Sequence, residues 1–90
     1  VRRSQPKYAK RRDDNEPQII KALEAIGCEV EQLDKPVDLA VLYRGQVKFI
    51  EVKNPEGFNR EEKGQIEFLE TWPGGFARNE DEAIRIVTDG

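Results

Sequence analysis

The sequence predicts an α/β fold, a small mixed β-sheet flanked by helices. Three observations lead there. Ninety residues make a single domain with a modest core. Two stretches, near residues 19–26 and 66–72, carry apolar side chains at helical spacing. Three short β-patterned runs lie between them, each bounded by turn residues. Elements in this order bury their apolar faces most simply as helices layered on a sheet.

Taken in order, Asp13-Asp14-Asn15 supplies helix-cap chemistry and Pro17 suits a first turn. Ile19, Ile20, Leu23 and Ile26 follow at helical steps, and Gly27 is a good stop, so a helix is expected over 15–26. CEVEQL (28–33) alternates, as a half-exposed strand does, and Asp34-Lys35-Pro36 is a turn. VDLAVLY (37–43) is apolar apart from Asp38 and reads as a buried strand. Arg44-Gly45 turns the chain into a third strand, QVKFIEVK (46–53). NPEGFNREEKG leads into a second helix over 61–72, with Ile66, Phe68, Leu69 and Trp72 apolar and Pro73-Gly74-Gly75 at its end. Phe76-Ala77-Arg78 reads as a short fourth strand. Asn79 followed by Glu82 is close to a capping box, which favours a last helix over 80–87 with Ala83, Ile84 and Val87 inward. A strand over AIRIV competes, but the acidic first turn suits a helix start.

Composition narrows the chemistry. There is no histidine, and the only serine, Ser4, lies near the start of the chain. His-based hydrolysis and His-ligated zinc are therefore excluded. Cys28 is the only cysteine, so no intrachain disulfide or Cys-based zinc site forms, and a buried, reduced thiol is expected. No apolar run is long enough to span a bilayer, and no signal-peptide core is present. The expectation is a soluble, intracellular protein in the cytoplasm of a bacterium or phage-infected host. Catalysis must rest on carboxylates, lysines or a bound hard cation.

Charge is split along the chain. Residues 1–12 hold six of the 15 basic residues, Arg2, Arg3, Lys7, Lys10, Arg11 and Arg12, and no acid. The remaining nine basic residues face 18 acidic ones. This suggests a basic arm over 1–13 and a folded domain over 14–90. A basic arm on an acidic body suits nucleic-acid contact, though a merely solvated terminus has the same composition.

The chemistry concentrates at FIEVKNPEG (49–57), where an apolar run ends in a carboxylate and an ammonium. Glu51 and Lys53 share a strand face with Val47 and Phe49. If Arg44-Gly45 is a two-residue turn, paired residues sum to 89 and Asp38 faces Glu51. Two carboxylates about 4 Å apart at an effective dielectric near 20 repel by about 4 kcal/mol. A divalent cation offsets this, as does a proton held by one carboxyl or neutralisation by Lys53. E-x-K alone is weak, since Glu61-Glu62-Lys63 repeats it at a polar helix start. The helices add two polar residues: Glu16 heads the stripe Ile19, Ile20, Leu23, and Gln65 heads Phe68, Leu69, Trp72. Each has an ordinary explanation alone, in a helix dipole or a stripe's wet end.

Asp38, Glu51-Val52-Lys53 on the next strand, and the Glu16 and Gln65 helices together resemble the PD-(D/E)xK nuclease signature. The resemblance covers about residues 14–88 and is nearest to stand-alone viral and bacterial VRR-NUC domains and to archaeal Holliday-junction resolvases. Pro36-Val37-Asp38 departs from the name by one residue between proline and aspartate. The resemblance implies a restriction-endonuclease-like αβββαβα core. It implies that Asp38, Glu51 and the Val52 carbonyl bind Mg²⁺ or Mn²⁺, with Glu16 adding to that shell or to a second metal. Lys53 would orient the attacking water, and Gln65 would hold Lys53 or the water. A homodimer acting on branched DNA is implied too. Two rivals remain: a nucleic-acid-binding module that kept the fold without cleavage, and a structural domain in which Asp38, Glu51 and Lys53 form a satisfied ion cluster.

Overall fold

The computed structural model describes residues 13–55 and 63–89. The expected arm up to residue 12, most of the loop after Pro55 and the expected start of the second helix at residue 61 lie outside them.

Helix α1 spans Glu16–Ala25. Pro17 sits in its first turn, and Ile19 and Leu23 are buried one helical turn apart. It ends in a Schellman motif. Gly27, at φ 100°, donates to Glu24 O, and the Cys28 N–H reaches Leu23 O. That closure turns the chain into β1, Glu29–Gln32. Strand β2, Leu39–Tyr43, and β3, Gln46–Val52, form a hairpin. Its turn residues Arg44 and Gly45 have φ of 51° and 80°, as a two-residue type I′ turn requires. The register is Tyr43 to Gln46 through Leu39 to Ile50, the one expected.

Helix α2, Lys63–Thr71, carries the chain over to β4, Gly74–Ala77, which pairs parallel to β3. Helix α3, Glu80–Thr88, closes the described fold. Asn79 Oδ1 accepts the Glu82 N–H at 2.9 Å, and the Glu82 carboxylate accepts the Arg78 N–H at 2.8 Å. This reciprocal cap decides helix over strand for AIRIV. The result is a mixed four-stranded sheet, ordered β1-β2-β3-β4, with three helices.

One face of the sheet holds the core. Leu39, Val41, Ile50 and Val52 pack with Ile19 and Leu23 of α1 and Ala83 and Val87 of α3. The opposite face is only partly covered. Leu42 and Val47 are exposed, so β2 is buried on one side rather than on both as its apolar run suggested. On that side Phe49 meets Phe68 of α2 and Trp72 just after it edge-on, at centroid distances of 5.0 and 6.0 Å. Helix α2 contains no buried residue, and Trp72 just beyond it is 51% exposed. The expected inward stripe of the second helix thus lies on the sheet without being enclosed, because α1 and α3 both take the other face. The fourth strand begins two residues earlier than expected. Gly74, at φ 149°, lies so close to Phe49 that a side chain there would overlap its carbonyl. Among the described residues no helix is long and apolar enough to cross a membrane.

Candidate active site

Strand register gathers the polar residues at one end of the sheet. The β2–β3 ladder stops at Leu39–Ile50, one position short of Asp38 and Glu51. There the Asp38 carboxylate replaces a strand partner: its Oδ2 accepts the Val52 N–H at 2.8 Å. In an antiparallel strand the N–H and C=O of one residue leave on the same side. The Val52 carbonyl therefore points toward the edge that Asp38 occupies. The Asp38 backbone is fixed too, its carbonyl accepting the Leu33 N–H at 2.7 Å.

Glu51 and Lys53 emerge on the face that carries α2. Gln65 lies between them, donating Nε2 to Glu51 Oε2 at 2.8 Å and accepting from Lys53 Nζ at a long 3.4 Å. The Lys53 ammonium also sits 5.1 Å from the centre of the Phe76 ring. Its peptide continues the parallel pairing past the strand end, Lys53 N–H to Ala77 O at 2.8 Å.

Glu16 approaches from α1, on the core face, where Gln32 Nε2 donates to its Oε2 at 3.0 Å. Gln32 pairs with Leu39 in the ladder, which sets it beside the Asp38 position. Asn15, one residue earlier, belongs to the Asp13-Asp14-Asn15 run that was expected to supply the cap. Its side chain makes no cap bond and instead donates Nδ2 to Lys53 O at 2.9 Å and Arg78 O at 2.8 Å. Asn15 and Gln32 are the two site residues that sequence reasoning missed. No local pattern marks either, since their partners are distant in the chain.

Burial sets the electrostatics. Glu16, Asp38, Glu51 and Lys53 are 1, 4, 6 and 7% exposed. Three carboxylates against one ammonium give these four a formal excess of two negative charges. Removing ions from water costs several kcal/mol each unless charge and hydrogen bonds offset it. A hard dication suits the three carboxylates by charge and by donor type, since each offers oxygen. Among the described residues no three acidic, Cys or His side chains come close enough to enclose one metal ion. Glu16, Asp38 and Glu51 therefore do not form a single all-protein cage. Mg²⁺ does not demand one, because it keeps several waters and takes one or two carboxylates plus substrate oxygens.

The expected nucleic-acid contacts, Arg2, Arg3, Lys7, Lys10, Arg11 and Arg12, lie outside the described residues. Cys28 is buried, as expected, and burial raises its thiol pKa.

Comparison with family models, curated proteins and solved structures finds no match.

Proposed function

We propose that the chain is a Mg²⁺- or Mn²⁺-dependent DNA endonuclease with a restriction-endonuclease-like core of the PD-(D/E)xK type, acting on branched DNA. One observation carries the reading: Gln65 links Glu51 to Lys53 on a strand end whose neighbouring N–H is held by Asp38. A structural ion cluster needs the charges satisfied. It does not need a lysine and two acids set in this order with an amide between them.

In this reading Asp38, Glu51 and the Val52 carbonyl would hold the cation, and Glu16, which does not close on the same point, would serve a second ion. When bound, such an ion supplies a nucleophile at neutral pH and charge for the scissile phosphate oxygens. The chain's own residues do the rest. Asp38 and Glu51 repel a phosphodiester, which makes productive binding depend on the cation. Lys53 presents a donor and a positive charge where charge develops on the phosphate. Gln65 restrains that ammonium and orients Glu51. The six basic residues of the first twelve would bind the DNA backbone. A homodimer is part of the proposal, and the exposed Leu42, Val47 and Trp72 on the open side of the sheet favour it.

The test is incubation with a four-way junction, a flap and a linear duplex, with and without Mg²⁺ or Mn²⁺. Asp38→Ala and Lys53→Ala are the controls. Metal-dependent cutting of branched DNA, lost in both variants, is the expected result. Binding without cutting would favour the inactive module, neither activity would favour the structural domain, and full cutting by Asp38→Ala would reject this site.

A further inference from the structure

We propose that Asn15 is a positioning residue for Lys53. Its functional consequence rests on the nuclease reading above; its geometry does not. Lys53 lies one residue past the end of β3, where a strand normally frays, and Pro55 follows closely. Its N–H is still held by Ala77 O, but its carbonyl lies beyond the paired strand residues. The Asn15 amide takes that place, donating to Lys53 O at 2.9 Å.

The same amide nitrogen donates to Arg78 O at 2.8 Å. One NH₂ group thus bridges the chain just beyond the ends of β3 and β4 with both of its hydrogens. Both neighbours are carbonyl oxygens, so only the nitrogen end of the amide can face them. Asn15 also stands directly before Glu16, with its own carbonyl accepting the Ile19 N–H. The start of α1 and the Lys53 backbone are therefore joined through one residue.

The geometry has a cost that a simple cap would not incur. Asn at this position normally satisfies an N–H of its own first turn. Here the side chain gives up that bond for two carbonyls 38 and 63 positions away. Lys53 needs the restraint because, among the described residues, its ammonium meets a long bond to Gln65 and a ring contact with Phe76. Holding the backbone limits the ground the side chain can cover.

Asn15→Ser and Asn15→Asp test this. Both keep good capping chemistry, but serine has a single donor and aspartate none. Lys53 is acylated at low conversion with a water-soluble N-hydroxysuccinimide ester and read by mass spectrometry, with Lys48 as internal reference. Lys48 is anchored separately, on the Ile86 and Asp89 carbonyls. Losing a hydrogen bond of ordinary strength should raise Lys53 labelling about fivefold while Lys48 is unchanged. In the cleavage assay kcat should fall about 10-fold or more with KM little altered. A folded Asn15→Ser protein labelled at Lys53 like the wild type would overturn the proposal. Should neither variant fold, the wild type decides: the Asn15 side-chain N–H resonances must exchange slowly, and fast exchange overturns the assignment. If the wild type cuts no DNA, the nuclease reading falls and the labelling comparison judges Asn15 alone.

Discussion

Gln65 donates its side-chain amide to Glu51 at 2.8 Å, from a helix that contains no buried residue. The bond crosses from α2 to β3 and joins a partly covered helix to a buried acid. Removing it should therefore cost function, and stability as well, because Glu51 is the buried end of the bond. Gln65→Leu keeps the bulk and loses both bonds. Supporting residues around metal ligands are typically worth about 10–100-fold in affinity or activity. That range is expected for Mn²⁺ affinity by calorimetry and for cleavage, and the loss of a donor to the buried Glu51 carboxylate should cost about 1–3 kcal/mol in urea unfolding.

Asp38 has two separable tasks. Its Oδ2 accepts a buried backbone N–H, and its charge serves the cation in the proposed reaction. Asp38→Ala leaves the Val52 N–H without this acceptor, which should cost about 1–3 kcal/mol in urea unfolding. Asp38→Asn keeps an oxygen acceptor and removes the charge. It should unfold much nearer the wild type, yet cut no DNA. Equal destabilisation by the two substitutions would show that charge, rather than the hydrogen bond, holds this corner.

Two glycines should respond in opposite ways to alanine. At Gly74 a Cβ would overlap the Phe49 carbonyl, and φ is 149°. Gly74→Ala must push β4 off β3 and should cost at least about 2 kcal/mol. Gly64 lies in α2 with open space where a Cβ would go. Gly64→Ala should stabilise by up to about 1 kcal/mol, since alanine is the better helix former. Thermal and urea unfolding of the pair measure both signs.

The hairpin register was legible because two independent constraints agree. Arg44-Gly45 suits a two-residue turn, and the register it imposes sets Leu42 against Val47 and Ala40 against Phe49. A one-residue slip would turn the core face to solvent. The same alternation put Asp38 and Glu51 at neighbouring positions. Asn15 was misread for a physical reason: local sequence shows a cap preference, whereas the side chain answers to carbonyls far along the chain. Gln32 gave no signal at all, being one polar residue at a strand end. The exposure of α2 was hidden too. Its stripe looks like that of α1, but a stripe is buried only if a sheet face is left for it and the loops enclose it.

Cys28 allows a prediction about pH. Burial raises its pKa above the usual 9.0, so the folded state holds this proton more tightly than the unfolded chain. Between the ordinary and the raised value the unfolded state binds fewer protons, and stability falls as pH rises through that window. Below the ordinary value the effect vanishes. Cys28→Ala removes the group. The stability gap between wild type and variant should therefore narrow on going from about pH 7 to about pH 10. A constant gap in paired urea titrations would mean that the thiol titrates alike in both states. Native Cys28 should also react with a thiol reagent far more slowly than the urea-unfolded chain.

The basic residues before Asp13 face the largest electrostatic test. The rest of the chain carries nine basic and 18 acidic residues, so it repels DNA at long range. Binding should then depend heavily on Arg2, Arg3, Lys7, Lys10, Arg11 and Arg12. Each phosphate neutralised contributes about 0.9 to the slope of log affinity against log salt on duplex DNA. Six contacts would contribute about 5. Deleting residues 1–12 should flatten the slope by up to that amount and weaken binding most at low salt. The assay is junction binding in Ca²⁺ across a salt series, comparing the intact and shortened chains. An unchanged slope would move the phosphate contacts onto the domain itself, where Lys53 is buried and acids outnumber bases two to one.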